Sequence, residues 1–178
     1  MKPSKEITFS SDTGEIQRKD LDVTSKMSED YFGMQKDPDQ IPATKKNRDW
    51  VYANAEFCLN IVRDGRKIIG YAFLLPCTRA LMDKFLSKNI NEATLLESIK
   101  KKSTSDSPET IYLCASIFKE QYRKQGLATL AFKKMIDKLT PNGNYKPVLF
   151  YWGYSEAVKR LAEKVAKITD LELRARLD

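Results

Sequence analysis

The stretch Arg123-Lys124-Gln125-Gly126-Leu127-Ala128 decides the reading of this chain. It lies between an apolar, strand-like run from Ile111 to Phe118 and an amphipathic, helix-like run from Leu127 to Leu139. A strand that ends in a basic, glycine-containing turn and then opens a helix aims several unpaired backbone N–H groups at one point. The helix start also carries partial positive charge, so that point attracts phosphate. Gly126 has no Cβ and lets the backbone take unusual dihedrals and approach a ligand closely. These residues suggest a pyrophosphate held by main chain.

The flanking runs set the surrounding sheet. Ile111, Leu113, Ala115 and Ile117 oppose Tyr112, Cys114, Ser116 and Phe118, so both faces are apolar and the strand belongs in mid-sheet. Ala128, Ala131, Phe132, Met135, Ile136 and Leu139 form one helical stripe, stopped by Pro141-Asn142-Gly143. Pro147 to Trp152 is a continuous apolar run typical of a buried strand. Strand, helix, strand in that order implies a right-handed crossover and a parallel pair. Ser155 to Ala166 reads as a second amphipathic helix, with Val158, Leu161, Ala162, Val165 and Ala166 on one face. The chain then alternates Leu171, Leu173, Ala175 and Leu177 with Glu172, Arg174, Arg176 and Asp178, which predicts a half-exposed, antiparallel strand. Its edge leaves room for pairing with a second copy, a possible homodimer.

Upstream, Phe57, Leu59 and Ile61 share one face of a run from Glu56 to Arg63. Asp64-Gly65 separates it from the apolar run Lys67 to Leu75, the signal of a hairpin with a type I′ turn. Pro76 is expected to end the second strand, and Gly70 to be a bulge or a small residue beneath a neighbour. Thr78 to Lys102 reads as one or two helices, with Asn91 as a cap, decaying into a polar loop from Lys100 to Pro108. This helical insertion, 78–108, reads equally as packing and as a wall of a substrate site. Residues 1–50 are the least readable: a short strand Ile7 to Phe9, a turn at Gly14, a helix from Leu21 to Met34 starting near Thr24 or Ser25, and a break at Asp37 to Pro42.

Composition narrows the function classes. A chain of 178 residues, 42% hydrophobic and 31% charged, fits one globular domain spanning 1–178. There is no apolar run of about eighteen residues, which points away from the membrane. The start, Met1-Lys2-Pro3-Ser4, lacks a signal-like apolar stretch, so the expected location is cytoplasmic. Cys58, Cys77 and Cys114 fall in apolar, strand-like runs without metal spacing and read as buried reduced thiols. The net charge of +7 suits solubility, nucleic acid or an anionic small ligand. The densest run, Lys100-Lys101-Lys102, lacks interleaved aromatics, which argues against nucleic acid. Histidine is absent, which removes the usual general base and every Ser–His or Cys–His arrangement.

The order hairpin, central strand, basic glycine turn, helix, strand, helix, strand resembles the GNAT superfamily of N-acetyltransferases. Arg123-Lys124-Gln125-Gly126-Leu127-Ala128 matches the family's Arg/Gln-x-x-Gly-x-Gly/Ala, and Phe118 to Tyr122 resembles the run before it. The resemblance covers about Glu56 to Asp178 and implies an α/β (α+β) fold: a mixed, mostly antiparallel sheet of about six strands with helices on both faces. It implies acetyl-CoA (acetyl-coenzyme A) at this turn. Backbone N–H groups of Lys124, Gln125, Gly126, Leu127, Ala128 and Thr129 would surround the pyrophosphate as a nest, with Arg123 and Lys124 adding charge. Pantetheine would lie in a splay between the two parallel strands and bond the main chain of Ile117 and Phe118 as an added strand would. The implied chemistry is direct attack of an amine on the thioester, with a backbone N–H near Phe118 stabilising the oxyanion.

One family feature is missing. The tyrosine that many members carry as general acid on the last long helix is replaced by Leu161 when Ala157 is aligned with the family's alanine. Tyr154, at the family's Asn-like position, or Tyr151 is the substitute, and Glu56 is the candidate base. Cys114 is placed to face the thioester, or to be an inert buried thiol. The missing acid keeps open a non-catalytic acyl-CoA-binding sensor or scaffold, with a basic nucleic-acid adaptor as a weaker reading.

Overall fold

The computed structural model describes residues 6–32, 39–102 and 107–177. Strands β1 (Ile7–Phe9), β2 (Leu59–Asp64), β3 (Lys67–Cys77), β4 (Thr110–Phe118), β5 (Val148–Trp152) and β6 (Leu173–Arg176) form one sheet in chain order. Helices α1 (Ser10–Thr13) and α2 (Arg18–Phe32) follow β1, and α3 (Lys45–Ala53) and α4 (Ala55–Cys58) precede β2. Between β3 and β4 lie α5 (Arg79–Leu86) and α6 (Glu92–Lys100). Helix α7 (Leu127–Leu139) crosses from β4 to β5, and α8 (Glu156–Thr169) from β5 to β6. Met34 and Asp37-Pro38, where the sequence suggests a helix end and a break, lie outside the described residues.

Each face of the sheet carries its own core. Helices α7 and α8 pack Phe132, Met135, Ile136, Leu139 and Val165 against Val62, Leu74, Ile111 and Leu149 on one face. On the other, α5 and α6 bring Leu81, Met82, Phe85, Leu95, Leu96 and Ile99 against Ile61, Leu75, Tyr112 and Phe150. The insertion is thus a packing layer, and through Glu92 of α6 it also contributes to a cavity wall. Its two helices are capped by Thr78, which accepts from the Leu81 N–H, and by Asn91, which accepts from the Thr94 N–H at 2.8 Å.

Strands β1 to β4 pair antiparallel, and β4–β5 and β5–β6 pair parallel. The last strand thus runs opposite to its expected direction. Alternation of side chains reports which face is covered, not which way the strand runs. Here α8 carries the chain back along the sheet, so β6 starts from the same end as β5. Three smaller expectations also change. Residues 55–58 form helix α4, so Cys58 ends a helical turn and Phe57 packs on the opposite face from Leu59 and Ile61. The β2–β3 turn consists of Gly65 and Arg66 between the paired Asp64 and Lys67, with positive φ (+59°) at Gly65 alone, so it is not type I′. Pro76 stays within β3, since β2 has ended at Leu59↔Phe73 and leaves that edge without a ladder.

Two bulges break the alternation. Val62↔Gly70 is followed by Arg63↔Ile68, which leaves Ile69 extra in β3. Phe73↔Ala115 is followed by Leu74↔Leu113, which leaves Cys114 extra in β4. An extra residue shifts every later side chain to the opposite face. Ile111 and Leu113 accordingly face α7 and α8, whereas Ile117 faces the other core and Phe118 takes the α7 side. The unbroken faces expected for this strand do not hold past Leu113. Gly70 lies directly beneath the Phe118 ring, where a Cβ would come within 2.2 Å of Cδ1. Gly70→Ala should destabilise the fold by about 1–3 kcal/mol. Urea unfolding tests this, and an unchanged midpoint would contradict the packing.

Candidate functional site

The turn between β4 and α7 is pinned from two sides. Tyr122, in the short helical turn Glu120–Tyr122, donates its hydroxyl to Asp64 Oδ2 at 2.7 Å, and the Lys119 N–H bonds the Ile69 carbonyl at 2.8 Å. Lys124 (φ 60°) and Gly126 (φ 75°) are both left-handed, which turns the intervening peptides inward as in a nest. Leu130 is the N–H that bonds the Gly126 carbonyl, at 3.0 Å. The N–H groups of Leu127, Ala128 and Thr129 have no carbonyl a turn behind them in the helix. Gly126 offers no side-chain cap, so the start of α7 presents bare donors.

Arg123 is differently employed from the expectation. Its Nε donates to the Phe118 carbonyl at 2.8 Å, and its guanidinium lies 5.5 Å from the Tyr31 ring centroid at the end of α2. It braces the turn and fastens α2 beside it.

The parallel ladder of β4 and β5 has pairs only at Thr110↔Val148, Ile111↔Leu149 and Tyr112↔Phe150. Beyond it the strands part, and a cavity opens between them, lined by Leu113, Cys114, Ala115 and Ser116 from β4 and by Tyr151, Tyr154 and Ser155 opposite. A second cavity lies beneath α2 and α3, lined by Phe32, Leu59, Tyr71, Phe73, Glu92, Trp152 and others. Phe32, Cys114, Ala115 and Tyr154 line both. The two cavities therefore meet at the β4 bulge.

At that junction stands a carboxylate. Glu92, the first residue of α6, is only 7% exposed. The Tyr112 hydroxyl donates to its Oε1, and the Cys114 thiol approaches the same oxygen at 3.8 Å. Tyr112 is itself fixed, stacking on Phe150 at 5.0 Å and meeting Phe85 of α5 in a tilted contact at 5.0 Å. Burial and then the Glu92 charge push the Cys114 thiol and the Tyr112 phenol well up, so both stay protonated. Tyr154 is 47% exposed, yet the desolvation of its cavity-facing side, with Glu92 and Cys114 behind it, pushes it up to about 12. The result is a buried carboxyl group flanked by a phenol and a thiol that keep their protons.

Of the residues the sequence suggests, Lys124 to Thr129 sit together at the start of α7, and Tyr154 stands at the meeting of the cavities. Tyr151 and Leu161 line the cleft between β4 and β5. Ile117 and Phe118 are buried and line neither cavity. Glu56 is not brought to them either: on α4 its exposed carboxylate pairs with Lys138 of α7 at 3.5 Å. Glu92 was not singled out from sequence. An acidic residue just after an Asn cap reads as a helix-dipole partner in solvent, whereas docking of the insertion sets this one against Tyr112 and Cys114.

Comparison with known proteins places this geometry. The family model for the acetyltransferase (GNAT) family matches residues 22–165, and the chain belongs to that family. Its mixed sheet with the parted parallel pair is the family's fold, and its activity class is acyl transfer of the GNAT N-acetyltransferase kind. Solved structures similar to it include a metagenomic aminoglycoside acetyltransferase from an uncultured soil sample. Its trehalose complex is 14% identical, with a TM-score of 0.48 and coverage of 92% of this chain and 86% of that one. The sisomicin complex gives 14%, 0.47, 92% and 86%. No curated protein matches the chain. No described helix is long and apolar enough to cross a membrane.

The Glu92–Cys114 contact has a measurable consequence. Removing a like charge beside a thiol favours the thiolate, so Glu92→Gln should lower the Cys114 pKa and speed its alkylation at mildly alkaline pH several-fold. Peptide mass spectrometry reads the rate at Cys114, and an unchanged or slower rate would contradict the contact.

Proposed function

We propose that this protein transfers the acetyl group of acetyl-CoA to an amine that enters the cavity floored by Glu92. The observation that carries the reading is the meeting of two cavities at Cys114, Ala115 and Tyr154, one running between the parted strands past Phe132 of α7 and the other reaching a buried carboxylate. The fit to a coenzyme A is supported by the left-handed Lys124 and Gly126, by the uncapped start of α7 and by the unladdered edge of β4. Main-chain N–H groups from Lys124 to Thr129 hold the diphosphate. The unpaired edge of β4 along Leu113 to Ser116 would hold the pantetheine arm as an added strand. This lies earlier on the strand than Ile117 and Phe118, whose carbonyl at 118 already accepts from Arg123. When bound, the cofactor supplies an acetyl group activated as a thioester.

The chain's own residues then position and move protons. An amine reaches the enzyme mostly as its ammonium ion, which cannot attack. Glu92 seats that ion and takes its proton, held in place by Tyr112. Tyr154 remains protonated far above neutral pH and is the group placed to supply a proton at the junction. It takes the role that Leu161 cannot fill. Holding both reactants at one point supplies much of the rate.

Thiol release with acetyl-CoA and an amine panel is the direct assay. Gly126→Glu should abolish coenzyme A binding, because the added carboxylate repels the diphosphate, while open space around a Cβ there limits the cost to the fold to about 1–2 kcal/mol of left-handed backbone strain. Retained affinity would remove the assignment. Glu92→Gln should lower kcat/KM about a hundredfold near neutral pH. The deficit should shrink as pH rises and solvent deprotonates the amine, and a pH-independent deficit would argue against a base. Tyr154→Phe should lower kcat more than it alters coenzyme A binding, and equal rates would exclude the phenol.

A further inference from the structure

We infer that the acceptor is a compact monoamine, one positive charge on an apolar or aromatic body, and not a polyamine or a polyhydroxylated amino sugar. This rests on the reading of the Glu92 cavity as the acceptor site and adds the class of amine it takes. Three features of the lining lead there.

Charge comes first. Among the described residues the lining holds a single carboxylate, Glu92, and a single cation, Arg48. Arg48 donates to the Ala43 carbonyl at 3.1 Å and stands 3.9 Å from Asp22, so it is fixed on the α3 side. One ammonium group meets Glu92. A second would find no further carboxylate on the lining and would face a guanidinium, which disfavours a polycation.

The walls come second. Phe32, Leu59, Tyr71, Phe73 and Trp152 supply aromatic and aliphatic surface around the carboxylate. Such faces bury an apolar body and attract an ammonium group through the ring quadrupole. Several polar groups on the lining are already engaged. Thr24 donates to the Leu21 carbonyl at 3.1 Å, Ser28 shares a hydrogen bond with Tyr71, and Asn47 donates to the Pro42 carbonyl at 2.7 Å while accepting from Lys100. A sugar-like body would set many of its hydroxyls against these apolar walls, and each unmatched hydroxyl is costly.

Size is third. The cavity, partly open and continuous with the β4–β5 cleft, offers about 160 Å³, close to the ~150 Å³ that holds a benzene ring in an apolar protein cavity. A single ring with a short amine arm fits that space.

Calorimetric titration of the whole chain, without cofactor, tests the inference with three probes: phenethylamine, phenethyl alcohol and spermidine. Phenethylamine should bind at least about tenfold more tightly than either of the others. Glu92→Gln should erase its advantage over the alcohol. Gly126→Glu, which disables the cofactor loop, should leave it intact, so failure of the cofactor reading is seen separately. The inference is overturned if phenethylamine shows no binding, if the alcohol binds equally well, or if spermidine binds more tightly. The alcohol comparison needs no variant, so an unfolded Glu92→Gln protein does not blunt the test.

Discussion

The structure depends on a backbone constraint in β4. Each peptide group along a strand edge must find a partner, because a buried unpaired N–H or carbonyl is costly. On its β3 side, β4 is paired from Thr110 to Phe118. On its β5 side the ladder stops at Tyr112↔Phe150. Strand β5 is not left loose by this, since β6 pairs with it from Leu149↔Leu173 to Trp152↔Arg176. The chain has thus committed β5 to its far neighbour and parted it from its near one. The extra residue at Cys114 bends β4 at the same level, and the opened edge leads to a helix start without a side-chain cap.

That parting explains why the reaction site is assembled from distant segments. The bulge turns Cys114 and Ala115 toward the α5–α6 side, where α6 delivers Glu92. Phe85, Tyr112 and Phe150 form an aromatic cluster that holds the insertion on the sheet and orients the hydroxyl bonding Glu92. Arg176 of β6 lies 4.9 Å from the ring centroids of both Phe85 and Trp152, so the last strand buttresses the same wall. On the opposite face Asn60 of β2 bonds the Ala131 carbonyl of α7 at 2.9 Å and accepts from Ser10 and Ser11, which fixes the helix whose start presents the donors. Cofactor end and carboxylate end are separate packing problems that share one strand.

Much of this was legible in the sequence where chemistry is local. Gly126 and Pro141 bracket α7, and its bounds, Leu127 to Leu139, emerge as the apolar stripe implies. Asn91 caps α6 as read. Features set by tertiary contact were not legible. The Cys114 bulge follows from register against β3, so alternation beyond it pointed Ile117 and Phe118 to the wrong faces. The direction of β6 is fixed by how α8 crosses the sheet, which side-chain periodicity does not encode. Helix α3 hides in the polar run Lys45-Lys46-Asn47-Arg48-Asp49, with its Thr44 cap as the one local sign. Glu92 carries no mark of burial in its neighbours. Glu56 looked better placed because it stands at the mouth of the hairpin, yet α4 turns it toward Lys138.

Hydrogen–deuterium exchange with and without coenzyme A tests the central claim most directly, because it reads the backbone donors themselves. The account requires slowed exchange at the amides of Lys124 to Thr129 together with Leu113 to Ser116, and little change in β1 and β2. Binding that leaves both stretches exchanging as before, or that protects a different surface, would contradict it.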